Sequence, residues 1–108
     1  MDLGAFLRPG FYPVFFLDDE GKKEPWGQVL KRPERPISWL AAKPLAADST
    51  VILALDVPGF SLGPEGELSE DQFLVASIVL KATVRSSRLL NKDGAHVLRF
   101  SNLIRLLD

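Results

Sequence analysis

The side chains that most often catalyse reactions or bind metals are sparse in this sequence. The chain has one histidine, His96, and no cysteine, which excludes disulfides, thiolate zinc sites and cysteine nucleophiles. A Ser-His-Asp triad would have to use His96. The carboxylates of Asp18–Glu20 and Glu70–Asp71 lie in turn-like contexts, where ionised and solvated side chains are expected. We therefore predict a protein that is not an enzyme and that uses neither a metal nor a cofactor.

Basic and aromatic residues give a binding role more support. Lys31, Arg32 and Arg35 lie between Trp26 and Trp39. Aromatic rings interleaved with basic side chains can stack nucleobases while the charges neutralise phosphates. In the alternative interpretation both tryptophans fill the core, and the proline-punctuated basic segment is a solvent loop.

Charge is unevenly distributed along the chain, although the net charge is −1. Residues 48–71 include six acidic residues and no lysine or arginine. Residues 81–105 include one acid, Asp93, and six bases, namely Lys81, Arg85, Arg88, Lys92, Arg99 and Arg105. If these bases share a face they suit an anionic partner, and otherwise they solvate the outside of a strand.

The elements that position these residues must form a core of their own. The chain has 108 residues, of which 46% are hydrophobic and 25% charged, a composition typical of one globular domain, here 1–108. Its longest mainly apolar runs, Val51–Leu55 and Leu74–Leu80, fall short of the roughly 20 residues of a membrane-spanning helix. The N-terminal residues lack the features of a secretory signal. We expect a soluble, cytoplasmic protein that does not insert into membranes.

Short runs of β-branched and aromatic residues, separated by turn residues, predict strands in the first half of the chain. These strands are expected at Phe11–Leu17, Trp26–Leu30, Ile37–Ala41 and Ser49–Val57. Pro58–Gly59 predicts the end of the fourth strand, and Phe60–Glu67 a loop.

The following segment contains opposing signals. Ser69–Gln72 has the spacing of a helix capping box, whereas apolar and polar residues alternate from Ala76 to Arg85, which favours a strand. Turn residues at Asn91–Gly94 then predict a hairpin with arms near Ile78–Leu90 and Ala95–Ser101.

The C-terminal residues predict a short helix. Asn102 is suited to cap it, and its apolar residues are Leu103, Ile104, Leu106 and Leu107. The predicted fold is thus mainly β, a small antiparallel barrel of about six strands with a short C-terminal helix that could plug one end.

This strand layout, with Pro58–Gly59 after a buried strand and a closing hairpin that ends in Val97–Leu103, resembles a PilZ domain over about residues 8–103. PilZ domains are six-stranded antiparallel barrels of bacterial signalling proteins. They bind cyclic di-GMP through Arg-x-x-x-Arg before the first strand and Asp/Asn-x-Ser-x-x-Gly after the second. The resemblance implies that fold here.

Only part of this binding motif is present. Arg8 and Ser38 match, whereas Tyr12 replaces the second arginine, and Pro36 and Ala41 replace the Asp and Gly. Tyrosine lacks the planar pair of donors with which arginine binds phosphate. The resemblance therefore implies a degenerate member that binds another protein instead of cyclic di-GMP.

We thus expect a non-catalytic protein-interaction or regulatory module that can also self-associate. The alternative is a small barrel that binds single-stranded nucleic acid. The candidate partner-binding residues are Arg8, Lys31, Arg32, Arg35, Ser38, Trp39, Lys81, Arg85, Arg88 and Arg99.

Overall fold

The six predicted strands are present in the protein. The computed structural model describes residues 7–90, 92 and 94–106. Its strands are β1 (Gly10–Leu17), β2 (Lys23–Lys31), β3 (Ser38–Ala41), β4 (Thr50–Leu62), β5 (Leu68–Leu89) and β6 (His96–Arg105). The prediction of a mainly β fold is confirmed.

The strands form one antiparallel sheet that closes into a ring. Their order around it is β1-β2-β3-β6-β5-β4, and β4 returns to β1. This closing contact is short, with Val14, Phe15 and Phe16 opposite Leu55, Ala54 and Leu53. Closure removes the open edges that a flat sheet would leave unpaired.

Side-chain alternation along the strands fills the interior of the ring. In β5, Ala76, Ile78, Leu80, Ala82 and Val84 are buried, and the residues between them are less buried, as a period of two requires. The strand predicted from this alternation is confirmed. Further core residues are Tyr12, Val14, Trp26, Val29, Trp39, Leu53, Leu55, Val57 and Leu98.

A row of aromatic rings crosses this core. Phe16 contacts Trp26 at a ring-centroid distance of 5.3 Å, and Phe100 contacts Trp39 edge to face at 5.2 Å and 86°. Such edge-to-face pairs add about 0.5–1.5 kcal/mol beyond burial of their area. Both tryptophans are core residues, with exposures of 5% for Trp26 and 6% for Trp39.

The predicted C-terminal helix is wrong. Thr83, Ala82 and Lys81 of β5 lie opposite Asn102, Leu103 and Ile104, so β6 continues as a strand to Arg105. The long β5 supplies a ready ladder of backbone partners, whereas a helix of so few residues would bear the full cost of nucleation. Leu107 lies outside the described residues. In the part of the chain that is described, no helix has the length and apolar character needed to cross a membrane.

The expected end of β4 at Pro58–Gly59 is also wrong, because β4 continues to Leu62. Pro58 lies opposite Val75, and the ladder is then interrupted before it resumes with Phe60 opposite Glu70. Gly59 has a φ of 86° at this point, a conformation that glycine adopts without strain. Pro58 and Gly59 therefore mark an irregularity within the β4–β5 hairpin and not the end of β4.

The hairpin between β5 and β6 is confirmed. The Leu90 amide donates a hydrogen bond of 2.7 Å to the Ala95 carbonyl oxygen, and Leu89 pairs with His96. Of the predicted turn Asn91–Gly94, residues 91 and 93 lie outside the described residues. Gly94 has a φ of 84°, the positive value expected for that turn position.

Candidate functional site

Three arginines project outward from neighbouring positions on β5 and β6. In the ladder, Ser86 lies opposite Arg99, and Arg88 lies opposite Val97. The register shifts between Val84 and Ser86, so Arg85 is an extra residue in a β-bulge. Bulges redirect side chains, and here Arg85, Arg88 and Arg99 are all exposed.

The loop between β2 and β3 brings two more arginines to the same region. The Arg35 amide donates to the Arg32 carbonyl oxygen at 3.4 Å, and Lys31 Nζ donates to the Arg35 carbonyl oxygen at 3.0 Å. Lys31 therefore fastens the loop, and Arg32 and Arg35 remain exposed. Between them, Glu34 has a φ of 57°, which tightens the turn.

Strand β3 sets this loop beside Arg99 of β6. Trp39 pairs with Leu98 in antiparallel register, so Ser38 and Arg99 are the next residues at the same end of that ladder. Both residues line a cleft of about 480 Å³. The predicted candidates Ser38 and Arg99, which are 61 positions apart in sequence, are thus brought together by strand pairing.

Two adjoining clefts collect the five arginines. The first is lined by Arg32, Arg35, Pro36, Ile37, Ser38, Val97, Leu98 and Arg99. The second, of about 370 Å³, is lined by Arg85, Ser86, Arg88, Val97 and Arg99. Val97 and Arg99 line both clefts. We refer to the two clefts together as the arginine clefts. Each combines guanidinium groups with an apolar wall.

The charges of the arginine clefts are not neutralised within the described part of the chain. Among residues 7–90, 92 and 94–106, ion pairs join Arg8 to Glu70 at 3.7 Å and Lys23 to Asp56 at 3.0 Å. None involves an arginine of the clefts. Guanidinium groups bind carboxylates and phosphates with paired hydrogen bonds, so the clefts suit an anionic ligand.

The remaining sequence candidates lie elsewhere. Arg8 faces Glu70, and Trp39 is in the core. Lys81 is exposed on the outer side of β5, opposite Ile52 of β4 and Ile104 of β6, and does not line the clefts. Lys31 stabilises the loop through its hydrogen bond to the Arg35 carbonyl oxygen. The prediction thus contained the five arginines of the clefts together with Ser38, mixed with residues that have other roles.

A second surface lies on the hairpin of β4 and β5, at a bulge that the sequence reasoning did not find. Four residues of β5, 71–74, occur between the pairs Pro58–Val75 and Phe60–Glu70, where β4 has only Gly59. Phe73, Leu74 and Val75 follow one another there with exposures of 85%, 49% and 60%. We call these three residues the apolar knob. The signal in the sequence was three successive apolar residues, because an alternating strand would expose only every second one.

Beyond this bulge the hairpin continues to a tip that lies beside the end of β6. Phe60 and Leu68 pack against the core, and a guanidinium nitrogen of Arg105 donates to the carbonyl oxygen of Gly66 at the hairpin tip. We call residues 58–75 the hairpin arm, and the apolar knob lies at its bend.

A carboxylate is fixed beside the apolar knob. Asp71 Oδ1 accepts a hydrogen bond of 3.0 Å from the Phe73 amide, and Glu70 precedes it, with its side chain 77% exposed. The knob is therefore an apolar surface with an acidic border. The arginine clefts have the opposite charge, because basic side chains border their apolar wall.

One catalytic pattern in the sequence has a structural role instead. Gly59–Gly63 has the Gly-x-Ser-x-Gly spacing, but a nucleophile elbow needs a turn from strand to helix, and Ser61 lies within β4 opposite Ser69. His96 begins β6, whereas Arg105 at its other end contacts the hairpin arm. The ten-residue β6 separates His96 from Arg105 by roughly 30 Å. Ser61 belongs to the hairpin arm that Arg105 contacts, so Ser61 and His96 do not form a pair.

Comparisons with protein-family models, with curated proteins and with solved structures found no match to this chain. The PilZ resemblance accordingly stays a prediction from the sequence.

Proposed function

We propose that the chain is a non-catalytic, cytoplasmic protein-interaction module with a PilZ-like β-barrel fold, and that it binds its partner through the apolar knob. The observation that supports this most is the exposure of three successive apolar residues, among them Phe73 at 85%. A bulge, Gly59 and the Asp71 hydrogen bond hold them outward. Burying one such side chain is worth about 1.5–3 kcal/mol, and aromatic anchors dominate many interfaces.

The chemistry of the knob defines the partner surface. Glu70 and Asp71 border the knob, and Glu65 and Glu67 lie at the tip of the same arm. Complementary charge favours the correct partner and repels acidic surfaces. The partner should therefore present an apolar pocket with lysines or arginines around it.

The absence of cyclic di-GMP binding is part of the proposal. Tyr12, at the position of the second PilZ arginine, is 8% exposed, and its hydroxyl donates to the Arg8 carbonyl oxygen. The Arg8 guanidinium faces Glu70. Binding of cyclic di-GMP in the PilZ manner would require the residues at positions 8 and 12 to present cationic side chains to phosphate. Neither Arg8 nor Tyr12 does so in this arrangement.

Photo-crosslinking from the knob tests the proposal. A benzoylphenylalanine placed at position 73 should give a discrete crosslinked protein in cells of the source organism. The matched control is the same group at Phe11, which is 62% exposed but lies on β1. No product at position 73, or the same products at both positions, would count against the knob as an interface.

Single-stranded nucleic acid is the second candidate ligand, supported by the unpaired arginines of the clefts. Phosphate contacts strengthen steeply as salt concentration falls. A labelled oligonucleotide titrated at low salt should then bind the wild type and bind R99E poorly. The buried Trp26 and Trp39 would not stack bases, so recognition would be independent of sequence. Absence of binding at low salt would eliminate this candidate.

A further inference from the structure

We propose that the arginine clefts of one molecule receive the apolar knob of a second copy of this chain, in a head-to-tail interface. This inference rests on the proposed function and names the partner. The two surfaces match in chemistry, because the clefts combine an apolar wall at Ile37 and Val97 with five arginines. The knob combines three apolar side chains with two acidic residues.

The charge match is specific in position. Asp71 is held against the Phe73 amide through Oδ1, so its carboxylate stands beside Phe73 and can meet a guanidinium group there, whereas the neighbouring Glu70 lies 3.7 Å from Arg8 of its own molecule. Arg99 lies between the two clefts. It is therefore the residue best placed to pair with Asp71 when Phe73 packs on Val97. Guanidinium–carboxylate pairs of this kind are short and directional.

The two surfaces cannot meet within one molecule. The knob lies near the start of β5, and Arg85 and Arg88 lie near its end, so the same strand keeps them apart. Contact must be between molecules, and the two halves of the interface differ. In the head-to-tail arrangement that we infer, each molecule gives its knob to one neighbour and its clefts to another, and such a heterologous contact produces closed rings or open chains instead of a two-fold dimer.

This geometry allows a test by complementation. F73S removes the knob and keeps the clefts, whereas R99E removes the centre of the clefts and keeps the knob. Each variant alone should lose self-association by about 30-fold or more, equivalent to about 2 kcal/mol, as expected for loss of a central anchor. An equimolar mixture should form a complex of two chains, twice the chain mass of 11.9 kDa, because one functional half remains on each.

Sedimentation equilibrium measures these masses. The wild type should show a mass that rises with concentration and falls when ionic strength increases from about 0.05 M to about 0.5 M. The controls F11S and K81E should behave as wild type, since Phe11 and Lys81 are exposed outside both surfaces. Phe73 and Arg99, the residues altered in the two test variants, are both exposed. Formation of the mixed complex would itself show that F73S and R99E are folded.

Three results would overturn the inference: a wild type that stays monomeric, variants that associate alone, or a mixture that stays monomeric although the wild type associates. A monomeric wild type that crosslinks at position 73 to a different protein would refute head-to-tail pairing and leave the proposed function intact. Absence of any position-73 product would refute both.

Discussion

Lys31 Nζ donates a hydrogen bond of 3.0 Å to the carbonyl oxygen of Arg35. A residue that the sequence suggested as a ligand contact is thereby a support for the loop that presents Arg32 and Arg35. Loss of this bond should leave the ring intact and loosen the loop, because Lys31 is the last residue of β2.

K31M should therefore speed amide hydrogen exchange at Arg35 by about two- to tenfold, since one hydrogen bond is worth about 0.5–1.5 kcal/mol. Exchange measured by NMR checks this. K43M, at an exposed lysine between β3 and β4, is the control and should leave Arg35 unchanged. Equal exchange in K31M and wild type would show that the lysine does not hold the loop.

Gly27 lies opposite Ala41, where β2 and β3 approach each other closely. A Cβ added there would collide with the Leu40 carbonyl oxygen and lie 2.9 Å from Ala41 Cα, so the strand backbones would have to separate. We expect G27A to lower the free energy of unfolding by about 1–3 kcal/mol, as overpacking does.

Urea unfolding measures this loss. The control Q28A changes the next residue, whose side chain is exposed, and should alter stability by less than about 0.5 kcal/mol. A G27A protein as stable as wild type would mean that β3 does not pair so closely with β2.

Arg105 joins the end of β6 to the tip of the hairpin arm through the Gly66 carbonyl oxygen. R105M should release the tip. Exchange at the Gly63 and Gly66 amides, which form the tip hydrogen bonds of 2.8 Å and 2.9 Å, should then become faster. Amides of the β5–β6 ladder should keep their protection, and K81M should change neither set. A uniform increase across the sheet would instead indicate general destabilisation.

Calorimetric titration with cyclic di-GMP should give no heat above dilution, because Tyr12 is buried and Arg8 faces Glu70. The variant Y12R restores the second arginine of the PilZ motif. It places arginine in the core and should destabilise the fold, since a buried charge without a partner costs several kcal/mol. Micromolar binding by the wild type would show that the PilZ motif has been misplaced.

Much of the fold could be predicted from the sequence because the signals were local. The alternation from Ala76 to Val84 identified the paired half of β5, and turn residues identified the hairpin to β6. Local signals failed where the context of the whole sheet decides. Asn102 has the preferences of a helix cap, yet it lies opposite Thr83 on a strand long enough to extend β6.

The candidate site was predictable in composition and not in arrangement. Residue type alone selected Arg32, Arg35, Arg85, Arg88 and Arg99. Their convergence depends on the Trp39–Leu98 register and on the bulge at Arg85, which no short-range pattern encodes. The apolar knob was missed because the capping-box spacing at Ser69–Gln72 and the alternation from Ala76 are opposing signals for Phe73–Val75, and only the pairing of β4 with β5 shows that this segment bends outward.

The apolar knob is, in the proposed function, the anchor of a protein interface. The most direct measurement is isothermal titration of the partner that crosslinks at position 73 against wild type, F73S and F11S. If that partner is a second copy, the titrant is F73S, which keeps its clefts and has no knob to donate. This role of the knob predicts that F73S weakens binding about 30-fold, equivalent to about 2 kcal/mol, and that F11S binds as wild type does. Equal affinity of F73S and wild type would contradict it.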